Sequence, residues 1–142
     1  MSRQQIERIQ ATYAAFNRGD FDSVLESWDD DTEFVAPEDM PEQSSFRGPE
    51  GYRQFLASML DVFEEFRSEP ERIIEVGDEK YLVFVTERFR RKEDATAVEA
   101  HNFILITMRG EKLRRLQVFL DRRAAFDAAG VSEEAVRDDR VP

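Results

Sequence analysis

Residues 72–121 read RIIEVGDEKYLVFVTERFRRKEDATAVEAHNFILITMRGEKLRRLQVFLD. Four segments of this half of the chain are rich in Val, Ile, Phe, Leu and Thr, the residue types that favour strands. The predicted strands are Arg72–Val76, Tyr81–Arg91, Thr96–Met108 and Lys112–Asp121. The joints between them are short and suited to hairpins, so this half predicts an antiparallel meander.

The N-terminal half has a different periodicity. Apolar residues recur at spacings of three and four, which predicts helices over 3–17 and 21–28 and a third that begins at Pro49. The apolar stripe of the third helix runs from Tyr52 to Phe66. Gly19 suits the left-handed residue that ends the first helix.

Capping residues and a short strand complete this half. Ser2 and Asp20 are predicted N-caps of the first two helices. Asp29, Asp30 and Asp31 are predicted to end the second helix, since carboxylates oppose the dipole at a helix C-terminus. Thr32–Ala36 is then predicted as a strand that stops at Pro37, followed by a loop over 37–47 with a short strand at Ser44–Arg47.

The pattern as a whole predicts one α+β domain over residues 1–131. Helices on one side of an antiparallel sheet define that class, and a helix laid across a curved sheet leaves a cone-shaped space that suits a ligand. Ala124–Ala129 is predicted as a last helical turn closed by Gly130. Residues 132–142 are polar, and we expect a flexible tail.

Composition narrows the possible functions. The chain has 142 residues, 41% of them apolar with twelve Phe, which excludes a disordered chain. It has no Cys, which excludes disulfides and thiolate chemistry. A net charge of −11 argues against nucleic-acid and anionic-membrane partners. One His, no Cys and no spaced carboxylate pair on a strand predict no metal site, and we expect a cytoplasmic protein without a cofactor.

Charge is unevenly distributed along the chain. Asp20 to Glu50 holds eleven acids and one base, whereas Lys80 to Arg123 holds eleven bases and six acids. The two stretches form separate solvated faces, or they lie near each other in the fold or across a dimer interface. The sequence leaves both interpretations open.

Four motifs together resemble the NTF2-like superfamily. They are YAAFNRGDFD at 13–22, WDDDTEF at 28–34, FRGPEG at 46–51 and LDRRAAFDAAG at 120–130, and the last resembles the SnoaL-like polyketide cyclase and steroid delta-isomerase-like branch. The resemblance covers residues 3–130. It implies an NTF2-like cone (a cystatin-like α+β roll), with three N-terminal helices packed on a curved antiparallel sheet. It also implies a homodimer through that sheet and a small apolar or amphipathic ligand.

The resemblance to steroid isomerases implies particular catalytic positions. Those proteins pair a Tyr of the first helix with an acid of a later strand, and a carboxylate after the first strand moves the proton. Tyr13 matches the first position and His101 falls at or near the second. The third position holds Ala36, which cannot accept a proton; Glu33 or Glu38 is left as a possible replacement.

Two other chemistries of the superfamily fit less well. Epoxide-hydrolase-like members use an acid–Arg–acid set, of which Arg88 matches the arginine while Arg90 and Val118 stand where acids are expected. SnoaL-like cyclases use an Asp on the strand that here carries His101 and Asn102. The imidazole of His101 could still serve as the acid–base group, since it titrates near neutral pH.

Alternation along the strands constrains which side chains share a face. His101 shares a face with Phe103, and Asn102 shares the opposite face with Ile104. Glu87 shares a face with Phe89, so a buried carboxylate there would be unusual. The side chains predicted to line the pocket are Phe16, Trp28, Phe34, Tyr52, Phe55, Met59, Phe103 and Phe119.

Two functional hypotheses follow. The first is a SnoaL-like isomerase, cyclase or dehydratase that moves protons on a mostly apolar cyclic carbonyl-type ligand, with His101 as the acid–base group and Tyr13 as donor to an oxygen. The second is a non-catalytic ligand-binding or dimerisation module that has lost the carboxylate at the position of Ala36.

Overall fold

The computed structural model describes residues 2–36 and 45–134. Its elements are α1 (Ser2–Asn17), α2 (Phe21–Leu25), β1 (Trp28–Val35), β2 (Ser45–Arg47), α3 (Gly48–Val62), β3 (Phe63–Gly77), β4 (Lys80–Arg91), β5 (Ala97–Arg109), β6 (Lys112–Phe119) and α4 (Arg122–Ala129). This is the α+β class expected from the sequence. Glu38, Ser44 and the end of the predicted tail, from 135 onward, lie outside the described residues.

The strands form one sheet in the order β2-β1-β6-β5-β4-β3. Strands β3 to β6 are the predicted antiparallel meander. Strand β1 corrects the expectation of a purely antiparallel sheet, because it pairs in parallel with β6 and carries β2 on its other edge. The first and last strands of the chain are therefore neighbours, which ties the helical half to the meander.

The turn and capping residues predicted at Gly19, Asp20 and Gly130 agree with the structure, whereas Ser2, the predicted N-cap of the first helix, is already part of α1. Gly19 has φ of 78°, and the Asp20 carboxylate accepts a hydrogen bond from the Ser23 backbone N–H, as an N-cap does. Helix α4 ends at Gly130, which has φ of 75°. These turns depend on residues next to each other in the chain.

The predicted second helix is too long. It ends at Leu25, and Trp28 opens strand β1, so the three aspartates lie on a strand rather than at a helix end. Trp28 is paired with Leu113 of β6, and the Thr32 hydroxyl donates a hydrogen bond to the Leu113 carbonyl. Pairing with a strand that is distant in sequence outweighs the short helical periodicity here.

The third helix also ends earlier than its apolar stripe. Helix α3 stops at Val62, and Phe63 and Phe66 belong to β3. Pro70 lies inside β3, which is an edge strand with a register shift beside this proline. An edge strand tolerates a residue that lacks an N–H, because one side of the strand needs no partner.

The sheet buries two faces. The inner face packs against α1, α2 and α3 and carries Ile104 and Ile106, while the outer face carries Phe103 and Leu105 under α4. None of the described helices is both long and apolar enough to cross a bilayer.

Candidate active site

A cavity of about 480 Å³ lies between the inner face of the sheet and the helices. That volume is in the range of pockets that take small organic molecules. Six residues predicted from the sequence line it, with Tyr13 beside them: Phe16, Trp28, Phe34, Tyr52, Phe55 and Met59. Whether they touch a ligand stays a prediction.

Two predicted lining residues are misplaced. Phe103 and Phe119 lie on the outer face of the sheet, packed in the cluster around Phe126 of α4. Side chains alternate between the two faces along a strand, and Phe103 and Phe119 fall at the positions that point away from the cavity. Asn102, Ile104 and Val118 line the cavity in their stead.

Aromatic rings form much of the wall. Phe63, Phe66 and Phe89 come from the paired strands β3 and β4, and the rings of Phe66 and Phe89 are stacked with centroids 5.4 Å apart. Phe16 of α1 meets Phe66 edge to face at 5.4 Å. Such a wall favours a flat, apolar guest.

One carboxylate interrupts this apolar lining. Glu87 of β4 lines the cavity, and its two oxygens accept hydrogen bonds from the Ser68 hydroxyl (2.8 Å) and the Asn102 side-chain amide. The side-chain amide of Asn17, the last residue of α1, holds the backbone of Ser68 through two hydrogen bonds. Its Oδ1 accepts from the Ser68 N–H at 2.8 Å, and its Nδ2 donates to the Ser68 carbonyl at 2.6 Å.

Burial raises the pKa of Glu87, and the hydrogen bonds from Ser68 and Asn102 offset only part of that rise. Among the described residues, no Lys or Arg forms an ion pair with it. A desolvated carboxylate without a cation is a stronger base than one in water, and groups perturbed in this way gather at functional sites. Ser68, Asn102 and Glu87 therefore form the polar wall of the site.

Tyr13 lies on the helix side of the same cavity. Its hydroxyl is buried and has no hydrogen-bond partner among the described residues, a condition that costs about 1–3 kcal/mol. Burial raises the pKa of Tyr13, and the negative charge of Glu87 raises it further. The phenol therefore keeps its proton and can act only as a neutral donor.

His101 does not project into the cavity, which corrects the sequence-based expectation. It is exposed on the outer face of the sheet, where Nδ1 lies 3.2 Å from the Thr86 hydroxyl oxygen. Thr86 is its directly paired residue on β4, and neither of the two lines the cavity. The acidic group of this cavity is Glu87, one position further along β4.

A family model for the SnoaL-like domain matches residues 9–116, most of the chain. The chain belongs to the SnoaL-like domain family. Among curated proteins, none matches the sequence.

Solved structures show the same fold for this SnoaL-like domain. TerC, co-crystallised with polyporic acid, is similar at 28% identity with a TM-score of 0.75, covering 89% of this chain and 98% of TerC. SalBIII, an epoxide hydrolase/cyclase-like enzyme with a role in salinomycin pyran ring formation, has 16% identity and a TM-score of 0.72 (86% and 94% covered). An isomerase-like protein from Bacillus subtilis has 15% identity and a TM-score of 0.68 (90% and 94% covered).

The position expected for a steroid-isomerase base carries no carboxylate in this SnoaL-like domain. Ala36, which directly follows β1, is 2% exposed. Glu33, the proposed replacement, does not line the cavity, and its carboxylate pairs with Arg115 at 3.4 Å. Glu38 is outside the described residues.

The epoxide-hydrolase arrangement is also not assembled. Arg88 pairs with Glu99 at 3.4 Å, where both side chains are about half exposed, and Arg90 pairs with Glu64 and Glu65 of β3. Val118 faces the cavity with an apolar side chain. In the described part of the chain, no group of three or more His, Cys, Asp or Glu side chains could hold a metal ion.

Sequence alternation contained a signal for Glu87, because it shares a face with Phe89. Sequence reasoning did not assign Ser68 or Asn17 to the site. Ser68 follows the apolar stripe of the predicted third helix, and its contact with Asn17 joins residues that are 51 positions apart.

Proposed function

We propose that this SnoaL-like protein binds a mostly apolar, aromatic small molecule in the cavity and that Glu87 moves a proton on it. The observation that carries the proposal is a desolvated carboxylate, fixed by Ser68 and Asn102, in a mostly apolar wall. General-base catalysis works best when the pKa of the base approaches the working pH, and burial shifts Glu87 in that direction.

The proposed step is proton abstraction next to a carbonyl. The Glu87 carboxylate takes a proton from a carbon of the ligand, and the electron pair moves onto the carbonyl oxygen to give an enolate. Tyr13, a neutral phenol beside Glu87, donates a hydrogen bond to that oxygen. In a β,γ-unsaturated ketone the enolate extends over the C=C bond, and return of the proton from Glu87 to the far carbon completes an isomerisation. In a β-hydroxy ketone the C–O bond breaks, and the departing hydroxide takes the proton from Glu87 and leaves as water, which completes a dehydration.

Two observations support an aromatic ligand. The phenyl rings of Phe16, Phe66 and Phe89 form a wall that matches a flat guest. TerC, with 28% identity over nearly its whole length, was crystallised with polyporic acid. We therefore propose polyporic acid as the first binding probe for this chain.

Trp28 offers a direct binding assay. It is the one tryptophan of the chain and it lines the cavity, so a bound aromatic molecule should change its fluorescence. Proton transfer is measured separately, by deuterium uptake into a panel of cyclic ketones and enones in heavy water. The variants are Glu87→Gln and, as a matched control on the outer face, Glu99→Gln.

We expect Glu87→Gln to keep the fluorescence titration within a few-fold of wild type and to slow exchange by about 10²–10⁴-fold. Glu99→Gln and His101→Ala should leave exchange unchanged, because neither side chain lines the cavity. Equal exchange rates for wild type and Glu87→Gln would remove Glu87 from the mechanism.

A non-catalytic binding protein is the second candidate. It is favoured by Ala36, which leaves the expected base position without a proton acceptor. In that case the wild-type protein binds polyporic acid with saturation and exchanges no ligand proton across the panel. Exchange above the buffer rate that depends on Glu87 would exclude this candidate.

We further propose a homodimer through the outer face of the sheet, in the cytoplasm. The outer-face residues Thr86, His101 and the Arg88–Glu99 pair lie on the surface that such an interface would cover. Analytical ultracentrifugation of wild type and of Arg88→Glu, which measures the monomer–dimer equilibrium, tests the proposal. A reversed charge within the interface should shift that equilibrium towards monomer.

A further inference from the structure

A second concave site, of about 380 Å³, is lined by charged side chains and lies apart from the apolar cavity. Its lining residues are Asp31, Glu33, Arg47, Arg109, Arg114 and Arg115. The two sites share no residue. We call this second site the arginine pocket.

Strand pairing brings the arginine pocket together. Its residues come from four strands that are consecutive in the sheet, β2, β1, β6 and β5. Glu33 of β1 is paired with Arg47 on one side and with Arg115 on the other. Side chains on directly paired residues of one face are neighbours, so this register concentrates guanidinium groups around one point.

The charges in the pocket do not cancel. Four guanidinium groups face two carboxylates. The Glu33 carboxylate is engaged on both oxygens, by Arg115 Nε at 3.4 Å and by the Ser45 hydroxyl at 3.4 Å. Arg47, Arg109 and Arg114 form no ion pair with any acid of the described residues, 2–36 and 45–134.

The whole chain carries a net charge of −11, opposite in sign to the excess in this pocket. Arginines that serve only solubility are spread over the surface and pair with nearby acids, as Arg53 does with Asp22 at 3.0 Å. Within the part of the chain that the structure describes, three guanidinium groups without an ion-pair partner surround one concavity, and they create a positive potential there that attracts an anion. The acidic and basic stretches of the sequence do meet here, through Glu33 and Arg115, but the basic side chains remain in excess.

We propose that the arginine pocket binds an oxyanion, the phosphate or carboxylate group of a small molecule, with Arg47, Arg109 and Arg114 as its ligands. A guanidinium offers two parallel N–H donors that match two oxygens of either group, which a single ammonium cannot do. Arg115 stays paired with Glu33 and completes the wall. The site is independent of proton transfer by Glu87.

Isothermal titration calorimetry at low ionic strength tests the proposal, with inorganic phosphate in one arm and citrate in the other. The test variant is Arg47→Gln with Arg114→Gln. The control is Arg3→Gln with Arg123→Gln, which removes the same two charges from exposed positions outside the pocket. Comparison of the two double variants separates local binding from the effect of net charge.

We expect saturable binding of one anion in at least one arm, weakened about tenfold or more in the test variant and little changed in the control. The arm that binds more tightly identifies phosphate or carboxylate as the preferred group. Affinity should also fall as salt is raised, because the guanidinium groups are exposed. Absence of saturable binding in both arms, or equal loss in both double variants, would overturn the proposal.

Discussion

Replacing Glu87 by glutamine should stabilise the folded protein at neutral pH. Glutamine has nearly the same shape, and its Oε1 can still accept the hydrogen bond from Asn102. Its amide N–H₂ can donate to the Ser68 hydroxyl, which now accepts instead of donating. The substitution therefore keeps both hydrogen bonds and removes only the buried negative charge.

The stability difference between Glu87→Gln and wild type should depend on pH, and the raised pKa of Glu87 determines its direction. Burial raises the pKa of Glu87 in the folded protein above its ordinary value of 4.5, which it recovers on unfolding. Between those two pKa values the folded state binds more protons than the unfolded state, so the free energy of unfolding of wild type falls as pH rises. Glu87→Gln does not titrate there, and its advantage over wild type should grow from about pH 4.5 upward.

At pH 7.5 we expect Glu87→Gln to raise the free energy of unfolding by on the order of 1 kcal/mol, the usual scale of a single stabilising substitution. This corresponds to a rise of about 4 °C in Tm. Calorimetric Tm values of both proteins at several pH values between about 4 and 8 measure it. Glu99→Gln is the control, because it removes an exposed carboxylate paired with Arg88 and should give no gain. A variant no more stable than wild type at neutral pH, or a difference that does not change with pH, would refute the view that the Glu87 carboxylate is desolvated.

Three further results are expected. Asn17→Ala removes two hydrogen bonds between α1 and β3 and should lower the free energy of unfolding by about 1–2 kcal/mol in urea titrations; no change would mean that the contact is not formed in solution. Ser68→Ala removes a donor that lowers the pKa of Glu87, so the midpoint of the pH–rate profile for deuterium exchange should move to higher pH, and a downward shift would contradict this. Gly48→Ala should lower the free energy of unfolding by about 1–3 kcal/mol, because Gly48 has φ of 72° and a Cβ there would lie 3.1 Å from a backbone oxygen of β1. Gly130→Ala should lower it less, because Gly130 has a similar φ of 75° but open space around the added Cβ. Equal losses for the two variants would refute a steric contribution at Gly48.

The elements with local causes could be predicted from the sequence. The meander from β3 to β6 follows from apolar strand segments separated by hairpin joints, and Gly19, Asp20 and Gly130 act within a few residues of themselves. The errors lie where a distant partner decides the conformation. Trp28 continues a helical stripe in the sequence, yet it forms a strand because Leu113 of β6 lies beside it.

The candidate site shows the same division. Alternation alone set His101 and Asn102 on opposite faces of β5, but it could not say which face lines the cavity. The register between β4 and β5 does not decide this either. It pairs Thr86 with His101 and Val85 with Asn102, and these pairs would be the same whichever face of the sheet lined the cavity. Only the packing of α1 and α3 against one face, and of α4 against the other, decides it.

The sequence by itself determined the α+β class, the order of most elements and the family, because these depend on periodicity and short motifs that neighbouring residues carry. The tertiary structure decided that Glu87, rather than His101, faces the cavity, and that four arginines share one pocket. Both outcomes depend on contacts between strands and helices far apart in the chain. Desolvation and charge clustering are properties of position in space, which residue order does not contain.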